Sequence, residues 1–261
     1  RPVFAQLTDL LTIWWSDAGT PLKWNQTGNV ASLTGTPPVA RVAAAHANRM
    51  WAAGTNANPS RLFFSASGNV EDWTGADTGS IDIQPEDGDR IVGLVSHKQR
   101  LLVFKGPNLG SIHEIAGTAP TGGDAFTRRV LVRGIALQTH NSIVEVGDDV
   151  WFMSERGVHS MSATERFGNF AESDLTRFMK KHFTDKINRG RLNRTWGVNY
   201  AGRSAALWST TLSGQAEEDT IFGLSYIRIQ EEGLKGFLWR RNAMSMAIRI
   251  NPTTSVREVV I

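Results

Sequence analysis

The sequence predicts an all-β fold, a β-propeller of about five to six blades with one inserted amphipathic helix. The first observation behind this prediction is an internal repeat, because the pattern of residues 12–24, TIWWSDAGTPLKW, returns 49 positions later in residues 61–73, RLFFSASGNVEDW. The matching positions are Ser16 with Ser65, Gly19 with Gly68, and Trp24 with Trp73. The second observation is a succession of short apolar runs separated by polar turns. Periods of about 40 to 50 residues are typical of propeller blades.

Pairs of apolar runs joined by short polar turns predict the strands of the blades. After a first buried run at 10–15, the predicted hairpins are 42–46 with 50–53, 91–96 with 101–105, 143–146 with 150–154, and 196–200 with 205–209. Further strands are predicted at 61–66, 220–228 and 236–239. The positions predicted to be equivalent are Ser16, Ser65, Lys105, Ser154 and Ser209. Their uneven spacing favours blades with variable loops over a solenoid.

One segment departs from the strand pattern. Between Ser173 and Ile187 the apolar residues recur at helical spacing, at Leu175, Phe178, Met179, Phe183 and Ile187. Ser173 or Asp174 is a suitable N-cap residue. The sequence therefore predicts an amphipathic helix over 173–187, inserted between blades.

Length and composition favour one propeller domain over residues 1–261. A chain of 261 residues with 41% apolar residues can bury a large core, and we expect it to be part of a longer protein because it does not begin with Met. The absence of cysteine excludes disulfides and thiolate metal sites. No apolar run reaches the length of about 18 residues that spans a bilayer, so no membrane insertion is predicted. The net charge of +3 is too small for a protein that coats a polyanion over its whole surface.

The densest charge feature is a basic segment that includes the predicted helix and the residues after it. Its seven cations are Arg177, Lys180, Lys181, Lys186, Arg189, Arg191 and Arg194, and Asp185 is the one acidic residue among them. Clustered cations suit contact with DNA phosphates or with an acidic protein surface, including a neighbouring subunit. A solvated helix face is the alternative interpretation. These seven residues are the candidate contact site.

Other polar clusters carry no predicted chemistry. The acidic run at 86–89 lacks the spacing of a calcium loop and is predicted to be an ordinary turn. The carboxylate groups at 217–219 and 231–232 are predicted to lie in solvated loops. The six histidines show no zinc-site spacing, and no nucleophile or phosphate-binding motif follows a strand. We therefore expect no metal, no cofactor and no catalytic residues.

The Ser-x-x-Gly element of the repeat resembles the Asp-box turn of sialidase-type propellers. In this sequence Ala18 and Ser67 stand where the Asp of that motif is expected. A sialidase-like glycosidase is the alternative function that this resemblance implies, and a non-catalytic propeller that binds a glycan or a protein is a further alternative.

Three segments look like the β-propeller of phage tail nozzle proteins, the tail tubular B-type proteins of short-tailed phages. They are residues 61–73, residues 146–163, VGDDVWFMSERGVHSMSA, and residues 220–248, TIFGLSYIRIQEEGLKGFLWRRNAMSMAI. The resemblance implies a non-catalytic structural protein of the virion, made in the host cytoplasm and assembled as a ring, a hexamer, around the tail lumen. Its implied partners are adaptor or portal-side proteins, fibre proteins and the genomic DNA that crosses the lumen.

Overall fold

The computed structural model describes residues 2–15, 19–167, 173–227, 233–241, 243–250 and 257–260. The chain forms two compact units, Arg1–His140 and Asn141–Ile261, and each is built of antiparallel sheets in which consecutive strands are neighbours. That the whole chain is a single domain stays a prediction.

The first unit contains three four-stranded sheets. The first sheet has strands β1 (Val3–Leu7), β2 (Leu10–Trp14), β3 (Leu22–Trp24) and β4 (Ala31–Ser32). The second has β5 (Val42–His46), β6 (Arg49–Ala53), β7 (Arg61–Phe64) and β8 (Gly79–Asp82). The third has β9 (Arg90–His97), β10 (Arg100–Gly106), β11 (Ser111–Ala116) and β12 (Thr127–Arg133). Each sheet is a meander, which is the connectivity of a propeller blade.

The first strands of these three sheets lie side by side, because β1 contacts β5 and β5 contacts β9. Every residue of β6 is buried, whereas β4 is exposed. Burial therefore decreases from the first two strands of a sheet towards its last strand. The core of this unit includes the fully buried Trp14 and Trp51. Rings of this size need neighbouring elements on several sides to bury them, which one sheet alone does not provide.

The second unit begins with a three-stranded sheet, β13 (Val144–Val146), β14 (Asp149–Ser154) and β15 (Gly157–Ser160), followed by helix α1 (Met161–Phe167). A four-stranded sheet follows after the short helix α2 (Lys180–Asp185), with strands β16 (Trp196–Tyr200), β17 (Ala205–Thr210), β18 (Thr220–Ser225) and β19 (Lys235–Arg240). Strands β20 (Ala247–Ile250) and β21 (Arg257–Val260) form a hairpin. Five sheets of three or four strands in the described residues confirm the predicted all-β fold of propeller blades.

The helix predicted over 173–187 is shorter than expected. Residues Arg177–Met179 form a 3-10 helix and α2 continues it to Asp185. Before it, the Leu175 amide donates to the Val158 carbonyl at 2.8 Å, which places the chain against β15. The Asp174 side chain also accepts hydrogen bonds from the amide and hydroxyl groups of Thr176. Pairing with a strand and a local Asp turn therefore override the helical periodicity here.

The predicted equivalence of the repeat positions is wrong. Ser65 follows β7, the third strand of its sheet, whereas Lys105, Ser154 and Ser209 lie in second strands. Ser16 lies outside the described residues. An apolar run followed by a polar residue occurs at the end of a second strand and also at the end of a third strand. Both kinds of strand end at a polar turn and pack at least one side in the core.

Candidate functional site

The basic segment from Arg177 to Arg194 lies on the second unit and is anchored by apolar side chains. Phe183 of α2 is buried and packs edge-on against Phe222 of β18, with 5.3 Å between ring centroids. Ile187 and Leu192 are buried in the same core. The segment ends as a 3-10 helix, Arg189–Arg194. Because its apolar side is used for this packing, its cations are directed away from the core.

The seven candidate residues differ in exposure. Arg177, Lys180, Lys181, Lys186 and Arg189 are exposed, and Arg191 and Arg194 are half-buried. The Arg194 Nε atom lies 3.1 Å from Oε1 of Glu218, a carboxylate that is 1% exposed. Arg194 therefore neutralises a buried charge and serves the fold. The exposed cations are the residues that remain suited to binding a partner.

Four of these exposed cations have no acidic partner among the residues that the structure describes. Within the described ranges, Lys180, Lys181, Lys186 and Arg189 form no ion pair with a carboxylate. Burial and, after it, the positive charge of Lys186 lower the pKa of His182. The lowered pKa favours the neutral imidazole, so the positive potential of the segment comes chiefly from its lysines and arginines.

An exposed apolar side chain lies within the basic segment and approaches strand β19. Phe178 is 53% exposed. A Cβ atom at Gly236 would overlap the Met179 sulfur and lie 3.1 Å from the Phe178 ring, so the glycine allows the 3-10 turn to sit directly on β19. Strand alternation places Leu238, which is 43% exposed, and Arg240 on the same face of β19 as Gly236. We call Phe178, Leu238 and Arg240, together with the exposed Lys180 and Lys181 that follow Phe178 in the chain, the cationic apolar surface.

Of the carboxylates at 217–219, Glu217 is exposed as predicted, whereas Glu218 and Asp219 are not solvated groups. Glu218 is buried with Arg194, and Asp219 accepts a hydrogen bond at 3.0 Å from the amide of Leu212. One oxygen of each carboxylate is therefore held by a structural partner. Residues 231–232 lie outside the described residues.

The acidic run at 86–89 forms a turn as predicted, and two of its carboxylates, those of Asp87 and Asp89, bind protein donors. Lys105 is 0% exposed, and its Nζ atom donates to Asp87 Oδ1 at 2.6 Å and to the carbonyls of Ile83 and Gln84 at 2.8 and 2.7 Å. Asp89 accepts from the amides of Asn108 and Gly110. An ammonium group thus takes the place that a cation would need. No group of three or more metal-ligating side chains occurs in the part of the chain that the structure describes.

A serine and a histidine meet at hydrogen-bond distance in β14 and β15, which sequence reasoning missed. Ser154 Oγ lies 2.8 Å from His159 Nε2, and His159 Nδ1 lies 3.1 Å from Ser173 Oγ. Both Ser154 and His159 are buried, and Ser154 Oγ also accepts from the Arg156 amide at 3.0 Å. The pair stabilises the β14–β15 turn, and its burial gives a substrate no access. The register of the β14–β15 hairpin brings Ser154 and His159 together, and sequence spacing alone does not determine that register.

No protein-family model matches the chain, and a search of curated proteins finds no match. Of the helices in the described residues, none has the length and apolar character that crossing a membrane requires.

Proposed function

We propose that this chain is a non-catalytic structural protein of a phage tail, a nozzle or neck component that docks neighbouring tail proteins. The observation that carries the docking role is the cationic apolar surface. The resemblance of residues 61–73, 146–163 and 220–248 to tail nozzle propellers supports the tail context. In this proposal six copies form a ring in the virion, adaptor or portal-side proteins and fibre proteins are its neighbours, and genomic DNA crosses its lumen.

The composition of the surface favours a protein partner over nucleic acid. Phosphate binding needs cations but gains little from exposed apolar side chains such as Phe178 and Leu238. A protein contact uses both, because apolar burial stabilises the complex while Lys180, Lys181 and Arg240 select an acidic surface. The neighbouring subunit is the partner that ring assembly requires.

The electrostatic part of this docking is expected to depend on salt. Exposed charges are screened over about 8 Å at physiological ionic strength, so the attraction of the lysines for a carboxylate surface falls as salt rises. The apolar contact of Phe178 and Leu238 is not screened. Assembly should therefore weaken, without disappearing, as salt is increased.

Native mass spectrometry and negative-stain imaging of the full chain over a range of protein concentrations test the proposal. We expect rings of the unmodified protein and their loss in the double variant Lys180→Glu/Lys181→Glu. The control is Lys98→Glu/Arg133→Glu, which reverses two exposed cations of the first unit. Monomers at every concentration of the unmodified protein, or rings that persist in the Lys180→Glu/Lys181→Glu variant, would contradict it.

A further inference from the structure

A cleft in the first unit has the features of a ligand site. Its volume is about 430 Å3, within the range of about 300–1,000 Å3 typical of small-molecule sites. It is bounded by the β1–β2 turn and the β3–β4 loop of the first sheet and by the loop that follows β7 in the second. Side chains from two sheets therefore converge on one space.

The register of the first sheet explains which side chains line the cleft. Lys23 of β3 pairs with Ala31 of β4. Asn25 follows Lys23 by two positions, so the two side chains lie on the same face, and Trp24 points to the other face. Leu10, at the start of β2, also lines the cleft. The first sheet thus supplies an ammonium group and an amide beside two apolar side chains.

The second sheet supplies a fixed carboxylate. Glu71 accepts a hydrogen bond from Lys23 Nζ at 2.5 Å and another from the Thr34 hydroxyl group, and these bonds lower the pKa of Glu71. The Glu71 amide donates to Asn69 Oδ1 at 2.9 Å. The backbone carbonyl of Glu71 lies so close to Gly35 that no Cβ atom fits there. This wall of the cleft is therefore positioned before any ligand binds.

Further polar groups of the cleft offer both donors and acceptors. Asn25 Oδ1 accepts from the amide and the hydroxyl group of Thr27, at 3.2 and 3.1 Å, which leaves the Asn25 Nδ2 group as the donor. Asn29 adds a second amide, and Asp9 adds a carboxylate. The mixture suits a ligand whose groups both donate and accept hydrogen bonds.

We propose that this cleft binds a neutral saccharide. Sugar hydroxyl groups donate and accept at the same time, as the amides and carboxylates require. An anion is disfavoured because two carboxylates, Asp9 and Glu71, face one ammonium group. A metal cation is disfavoured because Lys23 already occupies Glu71. Leu10 and Ala31 provide apolar contact for the C–H face of a sugar ring. The inference concerns the first unit and does not depend on the proposed tail role.

Saturation-transfer NMR on the full chain tests this assignment. The probes are the methyl glycosides of glucose, galactose, mannose and N-acetylglucosamine, with sialic acid and inorganic phosphate as anionic probes. We expect transfer to at least one neutral glycoside and none to the anions. Failure of all four glycosides to receive saturation, or transfer to the anions alone, would overturn the proposal.

Two variants connect the signal to the cleft. Thr27→Trp fills the mouth with a bulky ring, and Asn29→Ala removes one amide with little effect on the fold, since Asn29 is exposed. Both are expected to lose the transfer seen in the unmodified protein. The matched control Thr121→Trp places the same ring on an exposed loop of the third sheet, outside the cleft, and should retain it. A signal that persists in both Thr27→Trp and Asn29→Ala would place the sugar elsewhere and reject the assignment.

Discussion

Trp73 packs edge-on against Trp14, with 6.0 Å between ring centroids and 68° between ring planes. Trp14 ends β2 of the first sheet, and Trp73 belongs to the loop after β7 of the second. The Trp73 Nε1 atom donates to the Val70 carbonyl at 2.7 Å, which fixes the ring in its loop. The last residue of the second repeat copy therefore joins the first and second sheets.

The substitution Trp73→Ala should destabilise the first unit by about 2–4 kcal/mol, because it removes the aromatic contact with Trp14 and leaves a cavity between sheets. Urea unfolding followed by tryptophan fluorescence measures the change. The control is Trp239→Ala, at a ring that is 48% exposed on β19, for which we expect a change below about 1 kcal/mol. Equal losses of unfolding free energy in the two variants would show that the contact of Trp73 with Trp14 does not stabilise the first unit.

Lys105→Met should cost about 3–5 kcal/mol, since it leaves the Asp87 carboxylate and two carbonyl oxygens without their buried donor. Urea unfolding measures the free energy of unfolding of each variant. Lys98→Met, at an exposed lysine of the same sheet, is the matched control and should be nearly neutral.

The ion pair of Lys105 with Asp87 predicts how a double variant at these two positions behaves. In Lys105→Met/Asp87→Asn no uncompensated carboxylate is left, so part of the lost stability should return. If the double variant is as unstable as the sum of the two single variants, Asp87 is not the partner that makes Lys105 necessary.

Strands that form apolar runs beside polar turns were predictable from the sequence, and these include the outer strands β18 and β19, whereas β4 and β12 were not predictable. The hairpins β5–β6, β9–β10 and β13–β14 were found because buried first and second strands form apolar runs around a polar turn. Strand β4 fell inside a predicted loop, and β12 is largely exposed and reads TRRVLVR. Such strands are held by pairing with an inner strand, and they leave no apolar alternation in the sequence.

Long-range contacts explain the remaining differences. Helix α1 was missed because its start is capped from another element, as Asp149 accepts from the Ser162 amide at 2.8 Å. In the candidate site, composition alone identified the cations. The apolar part of the surface depends on the close approach of Phe178 to Gly236, and the structural use of Arg194 depends on Glu218. Neither contact has a local sequence signature.

The stability of the second unit should fall as pH decreases from about 6.5 to 4, because burial lowers the pKa of His159 to about 4. The unfolded chain then binds a proton at a pH where the folded chain does not, so the stabilising effect is complete above the unfolded pKa and is lost below it. Asp174 opposes this shift and Arg156 adds to it. The expected loss reaches about 3 kcal/mol at pH 4.

Urea unfolding at a series of pH values, with the unmodified protein and the variant His159→Gln, isolates this contribution. The glutamine does not titrate and can still hydrogen-bond Ser154, so the variant should show a shallower decline in the free energy of unfolding. Identical pH profiles of the two proteins would mean that His159 is not the titrating group.

Gly35 and Gly28 share a left-handed backbone and differ in the space around them. Their φ angles are 77° and 68°. A Cβ atom at Gly35 would overlap the backbone carbonyl of Glu71, whereas nothing lies within 4 Å of the Cβ position at Gly28. Gly28→Ala should therefore cost only the backbone strain of about 1–2 kcal/mol. Gly35→Ala should cost at least about 2 kcal/mol more, because the Glu71 loop must move.

The displacement of that loop should also be visible at the cleft. Backbone chemical shifts of Glu71 and Thr34 are expected to change strongly in Gly35→Ala and little in Gly28→Ala, since Glu71 is held by the Thr34 hydroxyl group and by Lys23. Saccharide binding, where it is observed in the unmodified protein, should weaken in Gly35→Ala alone, because the paired Glu71 and Lys23 side chains would no longer be held in the wall of the cleft. Equal stability and equal Glu71 shifts in the two variants would show that the contact of Gly35 with Glu71 does not set the position of this wall.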